Sequence, residues 1–277
     1  MLNNGRTSDD NFVRRHPAVS YFVITFTISW LGALAVAAPY LLRGEALPRF
    51  VGLMMFPAML LGPCLSGIVL SRLIHGPGSV GKLFARMLRI GALRWLVAVA
   101  IPPVLIAGVL LLLSLFVSPV FAPGRLWFGF SFGIAAGLVE EIGWSGFAFP
   151  VMRSRLGALA GAVVLGLLWS CWHLPVIDYL GAASPHGRYW LDFFLAFAAA
   201  MTALRVLISW VYANTESLLL SQLIHAGSTG SLVALGPLAV SPGQEALWYA
   251  AYAVALWLTV LVVVTRFGTT LTRRQAC

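Results

Sequence analysis

Residues 126–149 read LWFGFSFGIAAGLVEEIGWSGFAF. At 1.5 Å per residue this stretch is long enough, as a helix, to cross a hydrocarbon core of about 30 Å. Yet it carries two adjacent carboxylates, Glu140 and Glu141, in a chain with only 10% charged residues. The surroundings decide how it is read. Hydrophobic residues make up 60% of the chain and the mean hydropathy is +0.91, far beyond what a soluble core can use. Apolar runs of similar length recur on both sides, separated by short polar breaks: Ala18–Leu42, Phe50–Ile74, Arg94–Val117, Leu126–Phe149, Leu156–Ile177, Trp190–Val211, Glu216–Leu235 and Ala246–Thr265. None alternates with period 2 as a barrel strand would, and only helices or closed barrels satisfy their backbone in lipid. The expectation is an all-α integral membrane protein of about eight transmembrane helices, forming one bundle around an intramembrane polar site.

No polar break exceeds about 20 residues, so the chain reads as a single multi-pass domain over residues 1–277. Residues 1–17 form a polar cytoplasmic segment and 267–277 a cytoplasmic tail. The polar start and the long first run argue for a retained span rather than a cleaved signal peptide. The net charge of +9 reads as a topology signal, with no nucleic-acid partner expected. With the N-terminus inside, cytoplasmic segments hold Arg6, Arg14, Arg15, Arg72, Lys82, Arg86, Arg89, Arg94, Arg153, Arg155, Arg266, Arg273 and Arg274. Only Arg43, Arg49, Arg125 and Arg188 fall on the other side. A prokaryotic cytoplasmic membrane with both termini in the cytoplasm follows. Between His75 and Leu93, Leu83, Met87 and Ile90 oppose Lys82, Arg86 and Arg89 at near-helical spacing, so this break is either an interfacial helix or a basic loop. Cys64, Cys171 and Cys277 form no metal or disulfide pattern.

Ionisable groups at bilayer depth cost about 2.5–3.5 kcal/mol each on insertion scales, so each asks for a reason. They are Glu140 and Glu141, then His173, Arg205 and His225. Counted along the spans, Glu140 and His225 lie about 14 Å deep and His173 about 26 Å, while helical side-chain lean brings Glu140 and His173 toward each other. A carboxylate with two imidazoles allows two hydrolytic chemistries. One is a His₂Glu set for a Lewis-acidic metal such as zinc, held by Glu140, His173 and His225. The other is a glutamate acting as general base on water, with the histidines orienting it and stabilising an oxyanion. Adjacent helical residues point about 100° apart, so Glu140 and Glu141 should have different tasks. Trp169 and Trp172 read as packing or belt residues, Arg205 as a partner within the bundle, and Gly157, Gly161 and Gly166 as helix-contact positions.

Three stretches carry a family likeness: EEIGWSGFAFP (140–150), GLLWSCWHLP (166–175) and LLLSQLIHAGSTGS (218–231). They resemble the EExxxR, FxxxH and HxxxN or HxxxD motifs of the CPBP family, the CAAX-processing and bacteriocin-immunity membrane proteases. The resemblance extends to LLGPCLSGIVLSRLIHGPG (60–78) and to the eight-span count. It implies an intramembrane endopeptidase, glutamic or metal-assisted, acting on a peptide or lipidated protein in the bilayer. Glu140 would be the acid/base, Glu141 its neighbour, and His173 and His225 the imidazoles. Three positions depart from the motifs. Trp169 stands for Phe as an aromatic wall one turn before His173, Thr229 stands for Asn or Asp, and Ser145 replaces the Arg that would pair with Glu141 at i,i+4. Arg153 or Arg205 would have to take its place. Other readings are a catalytically weak or inactive family scaffold binding a membrane partner, a rhomboid-like serine protease using Ser145 of GWSG with His225, and a proton-coupled transporter.

Overall fold

The computed structural model describes residues 12–272; the Arg6, Arg273, Arg274 and Cys277 positions lie outside them. Eleven α-helices and no strands make up these residues: α1 (Phe12–Arg15), α2 (Pro17–Leu41), α3 (Arg49–His75), α4 (Ser79–Ala85), α5 (Val97–Phe116), α6 (Gly129–Gly143), α7 (Phe149–Leu156), α8 (Ala158–Trp172), α9 (Trp190–Thr215), α10 (Leu218–Leu235) and α11 (Pro242–Phe267). Six helical stretches among the described residues are long and apolar enough to span a membrane: α2, α3, α5 with its preceding turn, α9 with its preceding turn, α10 and α11. The chain is therefore a multi-pass, all-α membrane bundle.

The two other expected spans are helical but take different forms. The stretch 126–149 is not one regular α-helix, because a π-helical turn, Trp144–Ala148, lies between α6 and α7. Pro150 has no N–H for the carbonyl of Gly146, and Arg86 donates to that carbonyl instead, at 3.5 Å. Such π turns are single-turn features found often at functional sites. The fifth span is α8 followed by a 3₁₀ segment, Leu174–Tyr179.

Close approach between helices sets the core. Gly133 and Gly137 on α6 lie against the backbone of α10, where an added Cβ would meet Ala226 O at 2.3 Å and Gln222 O at 2.4 Å respectively. With this small face α6 lies against α10, and one turn beyond Gly137 comes Glu141. Gly166 on α8 does the same for α9, where a Cβ would come within 2.6 Å of Thr202 Cα and 3.2 Å of Arg205 Cβ. Gly161 likewise meets the backbone of Met152 and Arg153. Gly157 differs from the expected contact role: its φ of +80° closes the α7–α8 turn in open space. Helices α9 and α10 are the central ones, 67% and 61% buried over their most apolar windows, against 28% for α2 and α5.

The basic residues gather at one end. Arg14 donates to Leu73 O, Arg155 to Arg15 O, and Arg89 pairs with Glu216 at 2.9 Å. Arg49 sits at the other end, donating to the carbonyls of Gly181 and Ala182. The 79–88 segment is helical, as α4 and a 3₁₀ turn. Leu83 plugs in beside Ile142 and Leu218, but Ile90 is exposed, and Arg86 turns inward to the Tyr212 hydroxyl at 2.9 Å.

Candidate active site

Glu140 and Glu141 lie on the last turn of α6, and both are buried. Their surroundings differ as the 100° offset requires. Glu140 Oε2 accepts from two indoles, Trp144 Nε1 at 2.9 Å and Trp169 Nε1 at 3.0 Å. No hydrogen bond reaches its Oε1 among the described residues, and no cation pairs with it. Glu141 takes the cation. The guanidinium of Arg205, from α9, grips it through Nη2 to Oε1 at 2.7 Å and Nη1 to Oε2 at 2.9 Å, a bidentate fork. His225 Nδ1 donates to the same Oε1 at 2.8 Å. The Ser145 hydroxyl donates to Oε2 and accepts from Arg205 at 3.5 Å.

Trp169 connects the two halves. Its indole holds Glu140, its face lies 4.3 Å beneath the Arg205 guanidinium, and its ring stands edge-on to His225 and His173 at centroid distances of 5.0 and 5.7 Å. The packing reading of Trp169 therefore understates it, whereas Trp172 does line the core, with Trp144 and His173 against it. His173 follows the last residue of α8, and Trp30 donates to the carbonyl of Trp172 at that helix end. His173 reaches the glutamate side of the site through Trp169, whose ring lies 5.7 Å from the imidazole and whose indole N–H bonds Glu140.

The tautomers follow from the partners. His173 Nδ1 lies 2.8 Å from the carbonyl of Trp169, an acceptor only, so Nδ1 carries the proton and Nε2 remains for the site. The carboxylate of Glu141 imposes the same order on His225. A ring of Trp169, Trp172 and Phe197 encloses the His173 imidazole. Thr229 is half-buried one turn after His225, and no hydrogen bond joins it to the cluster among the described residues.

A metal held by Glu140, His173 and His225 would use the free Nε2 of each histidine and the free Oε1 of Glu140. No group of three or more His, Cys, Asp or Glu side chains among the described residues is spaced to hold one ion. Both Nδ1 atoms have oxygen partners and Glu140 Oε2 has two indoles, bonds that orient the groups and leave their other atoms open. The rhomboid pairing is not formed, since both Ser145 and His225 turn to Glu141.

Sequence reasoning passed over Trp144, whose i,i+4 relation to Glu140 was visible in the chain. It also passed over the small face Gly129, Gly133, Gly137, repeated every four residues and therefore on one side of α6.

Residues 121–230 match the family model described as Type II CAAX prenyl endopeptidase Rce1-like. The chain is 25% identical over 226 residues to CAAX prenyl protease 2 of Methanococcus maripaludis, an alignment covering 74% of this chain and 80% of the relative. The resemblance seen in the three motifs is thus shared by both comparisons, and the function class they support is a CAAX-type membrane protease. The matched segment contains every residue of the buried cluster, from Glu140 to His225.

Proposed function

We propose that the chain is an intramembrane endopeptidase that hydrolyses a peptide bond of a membrane-associated substrate with a water activated by Glu140. One observation carries this reading: of two adjacent buried carboxylates, one takes the cation and an imidazole, while the other is held by neutral donors on a single oxygen. A general base needs an oxygen free to accept a proton and a fixed orientation. Glu140 has both.

In this mechanism Glu140 removes a proton from water as the water oxygen adds to the scissile carbonyl. The Nε2 lone pairs lie on the site side of the histidines, His173 fixed by the Trp169 carbonyl and His225 by Glu141, and one of them accepts the second hydrogen of the water and orients it for attack. Collapse breaks the C–N bond, and the proton held on Glu140 passes to the leaving amine. The aromatic wall of Trp144, Trp169 and Trp172 keeps bulk water from the reacting atoms. Both termini are assigned to the cytoplasm of a prokaryotic membrane on the bias of basic residues toward the loops and ends that lie on one side of the spans.

A lipidated C-terminal peptide is the first substrate to test, since the relative is named a prenyl protease. The purified chain in liposomes is assayed for cleavage of a prenylated peptide, with and without chelator, beside Glu140→Gln. Cleavage that survives chelator and disappears in a folded Glu140→Gln supports the glutamate mechanism. Cleavage retained by Glu140→Gln overturns it, and loss with chelator that is restored by zinc moves the chemistry to a metal.

A further inference from the structure

Arg205 is fully buried on α9, sixty positions from Ser145 in sequence, yet its guanidinium reaches the Ser145 hydroxyl and fills the space one helical turn from Glu141. It makes three kinds of contact at once. The fork closes on both oxygens of Glu141 at 2.7 and 2.9 Å; the plane covers Trp169 at 4.3 Å; and Nη1 touches Ser145. Glu141 in turn holds His225, and Trp169 in turn holds Glu140. A single planar cation therefore sets the register of both halves of the site, although it contacts neither Glu140 nor His225 by a hydrogen bond itself.

We infer that Arg205 is the positioning residue of this active site, supplying from α9 the cation that the segment carrying Glu141 lacks at position 145. The inference rests on the proposed glutamate mechanism. It gives Ser145 a function: a short hydroxyl at 145 leaves room for the guanidinium and adds one bond to Glu141. It also gives Gly166 one, because the 3.2 Å approach of its would-be Cβ to Arg205 Cβ fixes how α9 sits against α8, the helix of Trp169. Lysine is no equivalent. An ammonium is a point charge, and cannot hold two carboxylate oxygens in plane while lying flat on an indole.

Four variants test the inference in liposomes on one cleavable peptide: Arg205→Ser, Arg205→Lys, the positional exchange Ser145→Arg with Arg205→Ser, and Glu140→Gln as reference. Misplacement of a reacting group by about 1 Å costs about 10²-fold in rate, so Arg205→Ser is expected to lose about 10²-fold in kcat with KM nearly unchanged. Arg205→Lys should fall between it and the parent. The exchange variant, identical in composition to the parent, should recover most of the loss, a rescue that a mere packing role would not give. Parent-like kcat in Arg205→Ser, with Glu140→Gln inactive, overturns the inference alone; activity in Glu140→Gln overturns the underlying mechanism. If Arg205→Ser does not fold, the exchange variant decides, since a folded but inactive exchange protein overturns the inference and an active one supports it. If neither folds, Arg205→Lys decides: parent-like kcat overturns the inference, and reduced kcat at constant KM supports it.

Discussion

Two groupings of imidazole and carboxylate are buried in this molecule, and they are built differently. In the α6–α10 cluster, His225, Glu141 and Arg205 meet at true hydrogen-bond distances of 2.7–2.9 Å. At the opposite end, His186 lies 3.7 Å from Asp178 and 3.6 Å from Glu245, and neither ring nitrogen has a hydrogen-bond partner. The Glu245 carboxylate is committed to the backbone instead, accepting from Ala182 N at 3.1 Å and Ala183 N at 2.6 Å, while His186 stacks on Phe193 at 3.7 Å. Gly181, with φ of +77°, bends the loop over that carboxylate where a Cβ would collide with it. The second grouping therefore secures the 174–189 loop. Proximity of acid and imidazole does not make a catalytic site; what matters is whether the partners of each group leave an oxygen or nitrogen for a substrate.

This contrast can be broken most directly by neutralising one acid in each grouping. Glu140→Gln should reduce cleavage by about 10²–10⁴-fold, the range of a general base, with the fold intact. Glu245→Gln should leave kcat within about twofold, because it touches only the loop. Equal losses in both would erase the distinction.

Stability should separate the groupings next. Glu141→Gln leaves the Arg205 charge buried without its carboxylate, a change that costs about 3–5 kcal/mol where a buried pair is broken. Thermal unfolding in detergent should show a large drop. Glu245→Ala strands two backbone N–H groups, and about 1–3 kcal/mol for each buried unsatisfied donor is the expected cost. A Tm in Glu141→Gln equal to that of the parent would show that the buried ion pair does not hold the first grouping together.

The smallest effect expected is that of Ser145→Ala, which removes one hydrogen bond to Glu141 and should cost about 1 kcal/mol with activity retained within tenfold. Complete loss of activity there, together with serine-directed fluorophosphonate labelling, would instead identify Ser145 as a nucleophile.

How much of this was legible in the chain varies by element. The long runs around α2, α3, α5, α9, α10 and α11 were readable because a bilayer demands about 20 apolar residues whatever surrounds them. The α6–α7 stretch looked like one span since hydropathy does not register a missing N–H at Pro150 or the π turn before it. Residues Glu140, Glu141, His173 and His225 stood out because charge and imidazole are rare at that depth. Arg205 was legible as a candidate partner for Glu141, but nothing in the chain ranked it above Arg153. Trp169 was legible as an aromatic wall beside His173, but not its bond to Glu140, nor that of Trp144, because the direction of an indole N–H is not a sequence property.

By itself the sequence determined that this chain crosses a membrane as helices, that its acids and imidazoles sit inside, and which family its motifs resemble. These depend on residue type and spacing along one dimension, where solvation costs are nearly additive. Tertiary structure decided which acid takes the cation, where that cation comes from, and which indole nitrogens orient the other acid. Those outcomes hang on the close approach of α6 to α10 and of α8 to α9. A hydrogen bond forms or fails within about 0.5 Å, finer than any periodicity can specify.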